Sequence, residues 1–287
     1  MKRVVVVGAL TFVGYHLVQK FLKEEVEVYA FDFDNMNSMS KVNEEKLSLI
    51  GRNALFMYFS LRDREAWELL EECDIDALYF CLCEPNQQRD FRNERLILRY
   101  VKIVESLCKR KKIKCMMLSS VKVNEADNGD ENGMFFRAIE GEIKKGEADY
   151  CILRVPAVYG PWQPSFMAYH HIILAQLKQQ TISLPIEECT CDLLYVEDVA
   201  NCLYTIGQRA MEMEKYTLCS EEKNRWQKGI EILQKRGRIQ IQEKECLKGD
   251  EGKKIVVPSE FSLEKGMLRQ ISHIKQYRKL YETSNMW

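Results

Sequence analysis

The feature that most constrains this chain is a four-valine run that ends on a glycine. Val4-Val5-Val6-Val7 leads into Gly8-Ala9-Leu10-Thr11-Phe12-Val13-Gly14, after which Leu17, Val18, Phe21 and Leu22 share one helical face. An unbroken apolar run is the pattern of a strand buried on both sides, as in a parallel sheet with helices on each face. The two glycines bracket the turn from that strand into the helix. The first permits the tight turn, the last lets the helix lie against the sheet, and the helix start offers its N–H groups to an anion. A glycine loop in this setting is where a dinucleotide pyrophosphate sits. Met1-Lys2-Arg3 before the valines superficially suggests a secretory leader, but Gly8, Thr11, Gly14 and His16 break the apolar stretch at once.

The rest of the first half keeps the same rhythm. Strands are expected at Lys2–Val7, Val26–Phe31, Leu55–Phe59, Ala77–Leu82, Ile113–Leu118 and Tyr150–Val155. Helices are expected at Gly14–Leu22, Arg64–Glu72, Glu94–Arg110 and Glu140–Lys145, with Asn124–Gly133 read as a solvated loop. Alternation of this kind predicts an α/β fold, a Rossmann-like doubly wound parallel sheet. Beyond Gly160 the pattern turns mostly helical, at Phe166–Gln179, Val196–Gln208 and Lys223–Arg236, with short strands at Arg238–Gln242 and Lys254–Val257. Two domains are therefore expected: residues 1–160 bind the nucleotide, and 161–287 form a smaller, mostly helical C-terminal substrate domain, partly interleaved with the first.

Composition narrows the partners. Lys and Arg number 42 against 43 Asp and Glu, so no broad field favours nucleic acid or an anionic membrane. No stretch approaches the ~18–20 apolar residues of a membrane span. The 11 cysteines, without an export signal, read as reduced thiols of a cytoplasmic protein. Cys81/Cys83 and Cys189/Cys191 are spaced more tightly than usual zinc ligands, so they are read as small strand residues and no metal is expected.

Asp32 ends the second strand, eighteen positions after Gly14. A carboxylate there accepts from the adenosine ribose hydroxyls and repels a 2′-phosphate, which favours NAD over NADP. Further along, "LSS" at Leu118–Ser120, "RVPAVYGP" at Arg154–Pro161, "DLLYVEDVA" at Asp192–Ala200 and "SLEKGMLRQISHIKQY" near the end follow in order. With "GALTFVG", these resemble the motifs of the NAD-dependent epimerase/dehydratase family, the extended short-chain dehydrogenases, over nearly the whole length. The resemblance implies bound NAD, a nucleotide or sugar-nucleotide ligand and a homodimer. Its cofactor-binding candidates are Gly8, Leu10, Thr11, Phe12, Val13, Gly14, Asp32, Ser60, Leu61, Leu82, Cys83 and Val158.

The departures from that family are as informative. Thr11 replaces the middle glycine of the loop, where it crowds the pyrophosphate or donates its hydroxyl to it, so cofactor binding is expected to be weakened, rearranged or lost. Ser60 stands where the family has an adenine-contacting aspartate, Ala157 where it has asparagine, and Cys191 where it has arginine. The last two losses remove charge-assisted bonds of roughly 1.5–3 kcal/mol each. The family's Tyr-x-x-x-Lys, in which lysine helps lower the tyrosine pKa for general-base work, is absent. One register puts Met134 and Ala138 at those positions, another Phe136 and Glu140. Only Ser120 keeps its place as a catalytic candidate, with strand-end capping as its other role. Substitute acid/base groups are sought at His170 or His171, read otherwise as a helix-surface pair, at Glu140 or Glu142, read otherwise as solvated, and at Cys81 or Cys83. Tyr159 belongs to the Tyr-Gly-Pro turn.

The expected function is an NAD(P)-binding protein of the nucleotide-sugar epimerase/dehydratase type without the usual Tyr/Lys hydride chemistry. Its alternatives are an active, divergent enzyme with relocated acid/base residues and a non-catalytic sensor or scaffold subunit. Whether the chain is an enzyme stays open on the sequence.

Overall fold

The computed structural model describes residues 1–33, 39–82, 91–180, 182–185, 192–209, 214–237, 239–242 and 252–283. The first half runs β1 (Arg3–Val7), α1 (Phe12–Lys23), β2 (Glu27–Asp32), α2 (Lys41–Ile50), β3 (Phe56–Ser60), α3 (Arg64–Glu72), β4 (Ala77–Phe80), α4 (Phe91–Lys111), β5 (Lys114–Ser120), α5 (Glu131–Lys145) and β6 (Tyr150–Val155). The second half continues with β7 (Ala157–Tyr159), α6 (Ala168–Leu177), β8 (Ile182–Pro185), β9 (Leu193–Tyr195), α7 (Val196–Gly207) and β10 (Lys215–Cys219). It closes with α8 (Arg225–Gln234), β11 (Ile239–Gln242), β12 (Lys253–Val256), α9 (Leu263–Gln276) and α10 (Arg278–Thr283).

Eight strands form one sheet in the order β12-β10-β6-β5-β4-β1-β2-β3, and every neighbouring pair is parallel. The valines of β1 are wholly buried, each worth roughly 1.5–3 kcal/mol. Val4 and Val6 pack on the side of α1 and α7, Val5 and Val7 on the side of α3, α4 and α5. The doubly buried strand read from the sequence is thus the centre of a doubly wound sheet. The chain leaves β1 toward β2 on one side and later returns to β4 on the other. The crevice of such a sheet opens where that order reverses, at the carboxyl ends of β1 and β4.

Several sequence expectations are corrected. The stretch between β2 and β3 carries a helix, α2, capped by Ser40 through Asn43 N at 3.2 Å. The loop expected at Asn124–Gly133 is a 3-10 helix over Val121–Asn128 followed directly by α5, whose cap Asp130 accepts from Gly133 N at 2.7 Å. The helix expected at Glu140–Lys145 therefore starts at Glu131. The short polar residues that suggested a loop are acting as helix caps. In the C-terminal half, β10 and β12 extend the main sheet beyond β6, while β7 pairs with β9 and β8 with β11. Among the described residues, no helix is long and apolar enough to cross a membrane.

Candidate functional site

The loop between β1 and α1 is built by close approach. Gly8 has φ +86°, and a β-carbon on it would lie 2.7 Å from Cys81 C and from Leu82 N, so the turn is pressed against the end of β4. A β-carbon on Gly14 would lie 1.9 Å from Gly8 O. Thr11, between them, caps α1. Its hydroxyl lies 2.7 Å from Gly8 O and 3.0 Å from Cys81 O and accepts from Gly14 N at 3.3 Å. Thr11 has φ −62°, an ordinary value for any residue. The hydroxyl expected to reach a phosphate is instead spent on the loop's own backbone, so here the threonine ties the turn together from within.

Asp32 sits at the end of β2 and is buried. Its Oδ2 accepts from Leu10 N at 2.7 Å and its Oδ1 from Phe33 N at 2.8 Å. These bonds fix the carboxylate at the mouth of the crevice, beside the start of α1. Lys46 of α2 approaches the same loop residue from the other side. It is 4% exposed, donates to Leu10 O at 2.7 Å and lies 5.7 Å from the centroid of the Tyr15 ring. Sequence reasoning missed Lys46 because it missed α2; the cap at Ser40 was the available signal.

The other candidates divide by position. Ser60 pairs with Asp32 across β2 and β3, and Leu61 N donates to Asp32 O at 2.8 Å. The Ser60 hydroxyl accepts from Arg62 N at 3.3 Å. Phe12 is buried at the start of α1, with Val13 partly so beside it. Leu82 is buried against Gly8; Cys83 lies outside the described residues, as do Cys189 and Cys191. Val158 lies in β7 opposite Leu194 and takes Gln163 Nε2 on its carbonyl at 2.7 Å. Its turn reaches α1 through His16, whose Nε2 donates to Pro161 O at 2.9 Å.

The candidate acid/base groups are engaged elsewhere. Ser120 ends β5 and caps the 3-10 helix, accepting from Lys122 N at 3.2 Å. Phe136 faces the core at 2% exposure, whereas Met134 is 49% exposed. Glu140, expected in solvent, is buried. It takes Arg154 Nε and Nη2 at 2.8 Å each and Ser119 Oγ at 2.8 Å. Burial alone would raise its carboxyl, but the Arg154 guanidinium and the Ser119 hydroxyl hold it below the usual range. Glu142 pairs with Lys145 at 2.7 Å and Lys102 at 3.5 Å. Burial pushes the Cys81 thiol up to about 12, so it stays protonated at neutral pH.

His170 is not on the helix surface. It is wholly buried, gives Nδ1–H to Gln163 O at 2.5 Å and meets Tyr281 edge-on at 4.4 Å. Its Nε2 is among the buried atoms without a hydrogen-bond partner. His171 is partly buried. Tyr159 is buried and donates to Leu263 O at 3.5 Å, in keeping with a structural role.

Replacing Glu140 with alanine is expected to lower stability by roughly 3–5 kcal/mol, because the guanidinium of Arg154 would stay buried without its carboxylate. Urea unfolding of the E140A variant reads this directly. An unchanged midpoint would contradict the pairing.

No protein-family model matches the chain, and no curated protein matches it by sequence. Solved structures do. A UDP-glucuronic acid 4-epimerase from Bacillus cereus, in complex with NAD, superposes with TM-score 0.75 over 99% of this chain and 100% of that one, at 18% identity. A dTDP-glucose 4,6-dehydratase from Bacillus anthracis, also with NAD, gives 0.72 over 99% and 100% at 13% identity. A UDP-glucose 4-epimerase from Thermotoga maritima, with UDP-glucose, gives 0.69 over 96% and 99% at 15% identity. The fold is therefore the one these epimerases and dehydratases share.

Proposed function

We propose that the chain binds a dinucleotide, NAD in preference to NADP, in the crevice at the carboxyl ends of β1 and β4, and that it does so without the Tyr/Lys hydride chemistry of its structural neighbours. The single observation that carries this reading is the buried Asp32 carboxylate joined to the loop at Leu10 N, 2.7 Å away, beside the start of α1. In this reading the N–H groups at the start of α1 take the diphosphate and the Asp32 carboxylate takes the adenosine ribose. Leu61 and Leu82 flank the adenosine, and Ser120 and Val158 stand toward the nicotinamide end. Bound NAD supplies a hydride acceptor; the protein's part is to hold and orient it.

The reading without that chemistry rests first on Met134 and Ala138, or Phe136 and Glu140, at the family's Tyr and Lys positions. A general base needs a pKa near the working pH. Burial raises Tyr15, Tyr79, Tyr159, Tyr195 and Tyr281, while Glu140 is ion-paired and His170 is held neutral in the core. The second ligand is a nucleotide or nucleotide-sugar, in keeping with the UDP-sugar complex among the neighbours. Residues 161–287 would form the part that receives it, against a nucleotide domain of residues 1–160. The reading also includes a cytoplasmic location, suited to its free thiols, and a homodimer through α5, where Met134 is exposed.

Incubating the protein with NAD and a panel of UDP- and dTDP-sugars tests the claim about chemistry. The expected result is NAD bound with no NADH absorbance and no altered sugar. Turnover at ordinary enzyme rates would overturn it.

A further inference from the structure

Leu10 is held at both of its backbone polar atoms by charged, buried side chains. Its N–H goes to Asp32 Oδ2 at 2.7 Å and its C=O to Lys46 Nζ at 2.7 Å. These two bonds fix successive peptide planes. In a trans peptide the C=O and N–H point in opposite directions. Anchoring Leu10 O on Lys46 therefore also sets the Leu10–Thr11 amide, which bonds back to Gly8 O at 3.2 Å. Thr11 then caps α1 through Gly14 N. The path from Lys46 to the start of α1 thus runs through Leu10 and Thr11.

The lysine is an expensive way to hold a carbonyl. An ammonium at 4% exposure loses most of its hydration. It recovers part of that through a charge-assisted bond to Leu10 O and through the face of Tyr15, whose centroid is 5.7 Å away. An apolar side chain of similar length would fill the same space at lower cost in stability. What it could not do is keep a carbonyl from turning toward the crevice, or place a positive charge behind the loop. For a bound dianion both matter, since a peptide flipped at Leu10–Thr11 would aim an oxygen where the phosphates need donors.

We infer that Lys46 is a positioning residue for a diphosphate at this loop, acting through Leu10 and Thr11 to keep the start of α1 and its N–H donors preorganised. The inference rests on the dinucleotide reading above. It assigns Lys46 to the diphosphate and not to the adenosine, which Asp32 serves. Its consequence is selective: without Lys46 the protein loses affinity for ligands carrying the diphosphate and keeps its affinity for the nucleoside.

The test is calorimetric titration of the full chain with ADP-ribose and with adenosine, for wild type, K46M and K46R. Wild type is expected to bind both. K46M is expected to bind ADP-ribose about tenfold or more weakly, to bind adenosine within about threefold of wild type, and to melt within a few degrees of it. K46R, which keeps the charge and a donor, is expected to recover part of the ADP-ribose affinity. Unchanged ADP-ribose affinity in K46M overturns the inference, as does an equal loss for both ligands, which would mark a general collapse of the pocket. Should K46M fail to fold, K46Q takes its place, with ADP-ribose affinity expected below that of K46R and adenosine affinity equal to it; equal affinities for both ligands overturn the inference. A wild-type protein that binds neither ligand removes the dinucleotide reading itself, whereas binding that K46M leaves untouched removes only the role of Lys46.

Discussion

Replacing Gly14 with alanine is expected to cost about 3 kcal/mol or more and to abolish tight dinucleotide binding. Inserting a methyl group into a packed site typically costs 1–3 kcal/mol. Here it would lie 1.9 Å from Gly8 O and 2.7 Å from Thr11 Oγ1. The obstructing oxygen is backbone, so no rotamer change relieves the clash. Either α1 moves off the sheet or the turn at Gly8 opens, and Gly8 is itself pressed on Cys81 and Leu82. Gly141 serves as the internal control. It lies in α5, where an added β-carbon meets nothing within 4 Å, so G141A should gain roughly 0.5–1 kcal/mol from helix propensity alone. Thermal unfolding of the two variants, run side by side, separates the effect of position from that of composition. A G14A variant as stable as wild type would show that the loop is not packed as described.

Stability is expected to fall steeply as pH drops from about 6.5, before the carboxylates begin to titrate. His16, His170 and His273 are held neutral by burial, at about 4, about 3 and about 3, against an ordinary value near 6.5. The charged groups that face them are Lys46 and Arg269 at His16 and Lys46 at His273, and the titratable ones are His16 at His273 and His273 and His171 at His170; each opposes protonation of its neighbour. Around them Trp162 meets His273 at 4.4 Å, and Tyr281 meets His170 at 4.4 Å and shares a 2.9 Å hydrogen bond with His273.

For a base with a depressed folded pKa, the unfolded chain takes up protons first. The stabilisation is therefore complete above the unfolded pKa and is lost as pH falls below it, down to the folded pKa. Each histidine contributes a slope of up to ~1.4 kcal/mol per pH unit in that window. Glu140, lowered in the folded state, contributes only at still lower pH, and Asp198, raised by burial, acts in the opposite sense, so a net loss between pH 6.5 and 5 reports the histidines. A melting temperature lower by roughly 10 °C at pH 5 than at pH 7 is expected. H170L should flatten the dependence. A melting curve indifferent to pH over that interval would contradict the buried, uncharged cluster.

What could be read from the sequence follows a physical divide. β1, the glycine loop and Asp32 were legible because they are local: a doubly buried strand must be apolar throughout, and a turn this tight admits only glycine at Gly8. Lys46 was not legible. Its helix, with two glutamates and two lysines in ten residues, shows only a weak apolar stripe, and its burial depends on a loop thirty-six positions earlier. Glu140 misled for a related reason. Nothing near it in sequence signals the guanidinium of Arg154 that draws it into the interior, and a glutamate on a helix reads as solvated by default. His170 is buried where α10 brings Tyr281 edge-on against it, a contact from more than a hundred positions away that no local pattern announces. The same long-range closure explains why β10 and β12 could not be assigned to the main sheet in advance.

The most direct measurement is a calorimetric titration of the full-length protein with NAD, repeated with NADP and with D32A. The account predicts one saturable site for NAD, weaker binding of NADP, and a loss of about tenfold or more in D32A, in line with a removed charge-assisted hydrogen bond. A flat titration with NAD up to millimolar concentration, or a D32A variant that binds as wild type does, would contradict it.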